Sequence, residues 1–280
     1  SYFKINGNPL DGKSWVEHEL TKVVWPINSQ PVDLDRDGDQ DIIAGSVAET
    51  RIILFENMGA KAAELFRQRP IKIDGTSIKG NDRPVNRRND SDPLVSGFNM
   101  EFVDLSGDGR LDIVTWEFTR LVGRSVVWLQ QPATLDGTWH LHPIGDYAPD
   151  EVVGIAVADI NGDGAMDVMT GGYSGGARDA DTDLSPNAVS GRLAWFENPG
   201  RTRVSAGPWP RHDISRRRRG MFDQFVPRDM DSDGDIDFLS TRGNSSVYDG
   251  VFWLEQARTP TPAPAFKQAR QQDSPEVPLP

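Results

Sequence analysis

Short apolar runs recur along the chain, and each stops at a polar turn. ILFEN (53–57), VVWLQQ (126–131), LAWFEN (193–198) and VFWLEQ (251–256) share one form. Apolar and aromatic residues lead into a polar end, as in a short buried strand. A second series follows the first: WVEHEL from Trp15, WHLHPI from Trp139 and WPRHDI from Trp209. FRQRPI from Phe66 and FKQAR from Phe266 are degenerate copies of it. A third series, DIIAGS, DIVTWEF, DVMTGG and DFLST, comes before the first, and a fourth precedes that, clearest in VVGIAVADI (152–160). One unit therefore reads as strand A, a polar loop, then strands B, C and D. Repeated units of four antiparallel strands predict an all-β fold, a β-propeller. A single blade cannot bury its own faces, so its neighbours must cover them. The recurring Trp and Phe of strands C and D are read as packing between blades rather than as stacking platforms for a ligand.

Complete blades are expected at about 27–73, 98–144, 152–214 and 221–270. Residues 1–20 align with strands C and D of the second blade and predict a partial N-terminal blade. Residues 271–280 form a proline-rich tail. A lone C–D pair is consistent with three arrangements: further blades from a longer precursor, a small ring in which the hairpin pairs elsewhere, or an open array completed by a partner chain. The first is the expectation here.

The loop between strands A and B is the strongest motif. DLDRDGDQD starts at Asp33, DLSGDGRLD at Asp104, DINGDGAMD at Asp159 and DMDSDGDID at Asp229. All four fit D-x-[DNS]-x-D-G-x-x-D. Aspartate is a poor strand former and like charges repel, so carboxylates at alternate positions of a tight loop point to one hard cation. Calcium takes about six to eight oxygen ligands, from carboxylates and backbone carbonyls. Positions 1, 3, 5 and 9 would offer side-chain oxygens and position 7 its carbonyl. The candidate ligands are Asp33, Asp35, Asp37, Asp39 and Asp41 in loop 1, and Asp104, Ser106, Asp108, Arg110 and Asp112 in loop 2. Loop 3 offers Asp159, Asn161, Asp163, Ala165 and Asp167, and loop 4 offers Asp229, Asp231, Asp233, Asp235 and Asp237. Glycine at position 6 permits a sharp turn with positive φ. Up to four Ca2+ are expected, bound more weakly at loops 2 and 3, where Ser106 and Asn161 each replace a carboxylate. Solvated Asp-Gly turns without metal are the plain alternative. An EF-hand is rejected: position 12 is Ala44, Thr115, Thr170 or Ser240, never Glu, and the flanks look like strands.

The loops and strands together resemble the VCBS/FG-GAP repeat, the blade type of integrin α-chain heads and many secreted bacterial propellers. The resemblance runs from about residue 1 to 270. It implies a calcium-stabilised propeller, secreted into an extracellular or periplasmic setting. It leaves activity open, because such blades build adhesion heads, lectin-like modules and lyase scaffolds.

Composition narrows the function. The 280 residues carry a formal net charge of −12, which argues against nucleic acid. No apolar run approaches the ~18 residues of a membrane span. Cysteine is absent, so there is no disulfide framework. The chain starts at Ser1, consistent with a removed leader. The long loops leave the end of each blade opposite the Asp loops, and variable loops on a rigid scaffold are where binding resides. They carry Arg83, Arg87, Arg88, Arg178, Arg216, Arg217 and Arg242. Arginine forks suit carboxylate and sulfate, so acidic or sulfated polysaccharide is a candidate ligand and another protein a second. The same arginines could instead pair with Asp179, Asp181, Asp183 and Asp249. Catalytic signals are thin: three of the four histidines share one place in strand D, and no nucleophile motif is present. Tyr173 and Tyr248 are the candidates for a lyase acid/base. A non-catalytic binding module is the expectation, with a carbohydrate-active lyase as the alternative.

Overall fold

The computed structural model describes residues 1–24, 26–46, 51–75, 95–119, 122–148, 150–173, 192–217, 221–243, 250–256 and 276–277. The described residues are all-β apart from one 3-10 turn at Gly12–Ser14. Four antiparallel sheets follow one another as the blades of a β-propeller, after an N-terminal hairpin of β1 (Tyr2–Ile5) and β2 (Trp15–His18). The first blade is β3 (Pro26–Val32), β4 (Asp41–Ser46), β5 (Arg51–Asn57) and β6 (Phe66–Arg69). A short β7 (Lys72–Asp74) then leads to the second blade, β8 (Glu101–Val103), β9 (Asp112–Thr119), β10 (Val122–Gln130) and β11 (Thr138–Asp146). The third is β12 (Glu151–Ala158), β13 (Asp167–Tyr173), β14 (Arg192–Phe196) and β15 (Arg211–Arg217). The fourth shows β16 (Phe225–Arg228), β17 (Asp237–Arg242) and β18 (Gly250–Leu254). Its expected strand D, from Phe266, lies outside the described residues.

Alternation along each strand gives every blade two apolar faces. On β9, Ile113 lies opposite Leu129 of β10 and faces the first blade, in a cluster with Leu34, Ile43 and Leu54. The next residue, Val114, lies opposite Trp128 and faces the third blade, among Ile155, Val168 and Phe196. Ala156, Met169 and Leu193 of the third blade likewise meet Phe225, Phe238 and Leu254 of the fourth. The expected role of the strand C and D aromatics is therefore observed for Trp128, Trp139 and Trp209, all buried. Between the first two blades the backbones nearly touch: a Cβ built on Gly45 would lie 2.0 Å from the Gly97 carbonyl oxygen.

The hairpin has the register of strands C and D. Tyr2 lies opposite His18, as Trp128 lies opposite His142 and Trp195 opposite His212. Each pair stacks, with ring centroids 4.8, 4.4 and 4.4 Å apart. Tyr2 also meets Phe66 of the first blade edge-on at 5.0 Å.

Two strands pair outside the expected four-strand pattern. Pro70 lacks an N–H and ends β6. The chain then crosses over, and β7 pairs in parallel with β11 as a fifth strand of the second blade. Ile71 and Ile73 pack into the first-to-second blade cluster. In the tail, β19 (Glu276–Val277) pairs with Arg216 and Arg217 of β15.

Candidate metal centre

All four Asp loops join strand A to strand B, so they lie at one end of their blades. Two left-handed residues shape each loop. Position 6 is the expected glycine, at φ 99° for Gly38, 90° for Gly109, 89° for Gly164 and 93° for Gly234. Position 4 is also left-handed: Gly107 and Gly162 at loops 2 and 3, but Arg36 (φ 61°) and Ser232 (φ 67°) at loops 1 and 4. A side chain there costs about 1–2 kcal/mol, so loops 1 and 4 carry strain that the other two avoid.

The carboxylate at position 1 closes the turn, its Oδ2 accepting the N–H of the position 6 glycine in every loop, at 3.2, 2.9, 3.0 and 3.1 Å. Position 5 accepts the N–H of position 7 at 2.8 to 3.1 Å. In loops 1 and 4 the acids converge. Oxygens of Asp33, Asp35 and Asp37 lie within 4.8 Å of one another, and so do those of Asp229, Asp231 and Asp233. Partial desolvation and then the Asp37 charge push the Asp35 carboxyl above its usual range, although much of its surface stays exposed. Asp33 Oδ1 is enclosed without a hydrogen-bond partner. An enclosed, unpartnered carboxylate oxygen beside two more acids is a donor set suited to a hard divalent cation.

Loops 2 and 3 are built differently. In loop 2 the Arg110 guanidinium pairs with Asp108. Burial pushes the Asp108 carboxyl up, but the Arg110 N–H, the Ser106 hydroxyl and the Arg110 charge hold it below the usual range. Arg201 reaches the same loop, with its guanidinium carbon 2.9 Å from where a Cβ of Gly107 would sit. In loop 3 the Asn161 amide donates to Asp163 Oδ2 at 3.0 Å. Position 3 thus contributes no carboxylate to either loop.

Position 9 has another task. Asp41, Asp112, Asp167 and Asp237 are all buried. One oxygen of each accepts an early loop N–H: Leu34 at 3.0 Å, Ser106 at 2.9 Å, Ile160 at 2.9 Å and Met230 at 2.9 Å. The other accepts the N–H at the end of strand C: Asn57 at 2.8 Å, Gln131 at 3.0 Å, Asn198 at 2.8 Å and Gln256 at 2.8 Å. These aspartates bracket loop to blade, and burial pushes Asp41, Asp112 and Asp167 up to about 6. The side chains at the end of strand C extend the bracket. Gln131 and Gln256 donate to the preceding blade, at the Leu34 and Ile160 carbonyls, both at 2.8 Å. The recurring Asn or Gln in FEN, LQQ and LEQ was the available signal for this link.

Residues 104–170 match the sequence model of the FG-GAP-like repeat. That match takes in loops 2 and 3 with the strands between them, and the resemblance drawn from the Asp loops agrees with it. No curated protein matches the chain. Among solved structures, one titled for recognition of non-reducing terminal N-acetylglucosamine by a lectin of Agrocybe aegerita aligns at 17% identity with a TM-score of 0.33. The alignment covers 81% of this chain and 65% of that one.

At the other end of the blades, the strands bring Tyr173 (end of β13), Arg216 and Arg217 (end of β15) and Arg242 (end of β17) to one side. Arg83, Arg87, Arg88, Arg178 and Tyr248 lie outside the described residues.

Proposed function

We propose that the chain is a calcium-organised propeller that serves as a non-catalytic binding module, with anionic polysaccharide as its ligand class. The observation that carries the calcium reading is the convergence of three carboxylates at loops 1 and 4. Asp33, Asp35 and Asp37 would hold one ion and Asp229, Asp231 and Asp233 another. At about 4 Å and an effective dielectric near 20, each pair of like charges repels by ~4 kcal/mol, and a divalent cation turns that repulsion into attraction. The ion would neutralise and stiffen the turn and thereby the stack of strands behind it. Loop 2 has Arg110 in part of that role, and loop 3 has one carboxylate fewer, so both would bind more weakly. Exposed Asp35 and Asp37 suit moderate affinity, as in modules that work in millimolar calcium outside the cytoplasm.

The glycan reading rests on the separation of charge along the blades. The acidic turns occupy one end, and Arg216, Arg217 and Arg242 sit at the other, on a chain of net charge −12. A glycan array in calcium and in EDTA, run beside an assay for unsaturated uronate products, tests it. Retention of uronate or sulfated glycans without product supports the module. Product formation overturns it in favour of a lyase, and absence of retention removes the glycan.

A further inference from the structure

The third blade carries a fifth strand that the tail supplies. Its sheet runs β12-β13-β14-β15-β19, so β15 is the blade's own outer strand and the tail covers its edge over two residues. Val277 lies opposite Arg216, and Glu276 opposite Arg217. An edge strand presents unpaired N–H and C=O groups, and an added extended segment satisfies them. The sequence limits how far the addition can run. Pro275 and Pro278 flank the pair, and neither has an N–H to give to a ladder. A strand of two residues between prolines gains little from pairing and opens easily.

The added strand sits where arginines gather. Arg192 of β14 lies directly opposite Arg216 of β15, and Arg217 follows. Like charges directly opposite each other are unfavourable in an antiparallel pair, and a neighbouring anion relieves them. The tail brings that sign of charge: residues 271–280 contain Asp273 and Glu276 and neither lysine nor arginine. Register puts Glu276 across from Arg217, the favourable combination for a cross-strand pair. An extended acidic segment thus takes the place of an extended anionic polymer.

We propose that β19 is a tethered stand-in for the ligand: it competes with anionic polysaccharide for the arginine end of the third blade and is displaced when the glycan binds. This rests on the glycan reading of that end. As part of the same chain, the tail rebinds as an intramolecular partner, so even a short pairing competes with ligand in solution. Only molecules with an open edge bind ligand, and apparent affinity falls by that fraction.

Glu276→Pro with Val277→Pro in the full chain removes both N–H groups from the pairing. Glu276→Gln removes the same charge and keeps both N–H groups, so it serves as the reference. Neither residue belongs to the three apolar clusters, so the blades stay intact, and a thermal melt checks this. Binding to immobilised heparin, a sulfated uronate polymer, is compared at one ionic strength, with amide hydrogen exchange read across β15. With the tail on the edge about nine-tenths of the time, the proline variant binds about tenfold more tightly than wild type. Exchange at Arg216 and Arg217 rises in that variant, and a synthetic peptide of residues 271–280 reverses both changes. Faster exchange with no gain in binding makes the tail a brace and overturns the proposal while the glycan reading stands. Equal gains in the proline and Gln variants mean that charge alone acts, and unchanged exchange means that the tail does not rest on β15; either overturns it. No binding by any of the chains removes the glycan reading and the proposal with it.

Discussion

Glu101 shows how a single residue departs from a repeat. It occupies the strand A position opposite Val114 that is Ala156 in the third blade, and burial pushes its carboxyl up to about 7. The sign follows. In the folded chain Glu101 keeps its proton at pH values where the unfolded chain has lost it, so stability is highest below the usual Glu range and falls as pH rises towards 7. Glu101→Gln removes that loss and is expected to gain about 2 kcal/mol over wild type at pH 8 and little at pH 4, by urea denaturation. A gain equal at both pH values would contradict it. Burial also raises Asp223, to about 6, and its contribution has the same sign. Among the loop residues, the position 6 glycines and the acid spacing were legible in the sequence. The bracket at position 9 was not, because whether a carboxylate meets a cation or two backbone N–H groups depends on how strand C closes over the loop. The spacing assigns Arg110 a role only through its carbonyl, yet its side chain pairs with Asp108. Asp35→Asn is expected to weaken the tighter calcium binding at least tenfold, whereas Ser106→Asp leaves loop 2 weak so long as Arg110 stays.

At the scale of the strand, short apolar runs that stop at polar turns predicted nearly every element, since both faces of an inner blade are buried by its neighbours. The exceptions are β7 and β19, whose pairing depends on another blade. Three residues after Pro70 carry no pattern of their own that points to β11. Close approach between blades was equally hidden, because a glycine in a strand reads as a weak position until its neighbour is known. Gly45→Ala should therefore cost about 3 kcal/mol or more, as its methyl would overlap the Gly97 carbonyl. Gly250→Ala, where a Cβ meets nothing within 4 Å, serves as the control and should be nearly neutral. Both are read from denaturation midpoints. Equal losses at the two positions would mean that the tight junction is not what holds the first two blades in register.

Across the whole molecule, the blades supply apolar junctions and the Asp loops concentrate negative charge at one end. The two features oppose each other, and the proposed cations would relieve that repulsion. If the loops hold calcium as proposed, calcium at ~100 times its dissociation constant would stabilise the fold by about 2.7 kcal/mol per site, so Tm should rise with calcium and fall in EDTA. The number of ions and their ranking are where the account is most exposed. Calorimetric titration of calcium into wild type and into a chain carrying both Asp35→Ala and Asp231→Ala tests this directly. The account predicts two tighter sites in wild type, both lost in the variant. Equal heats and stoichiometry in the two proteins, or no heat in either, would contradict it.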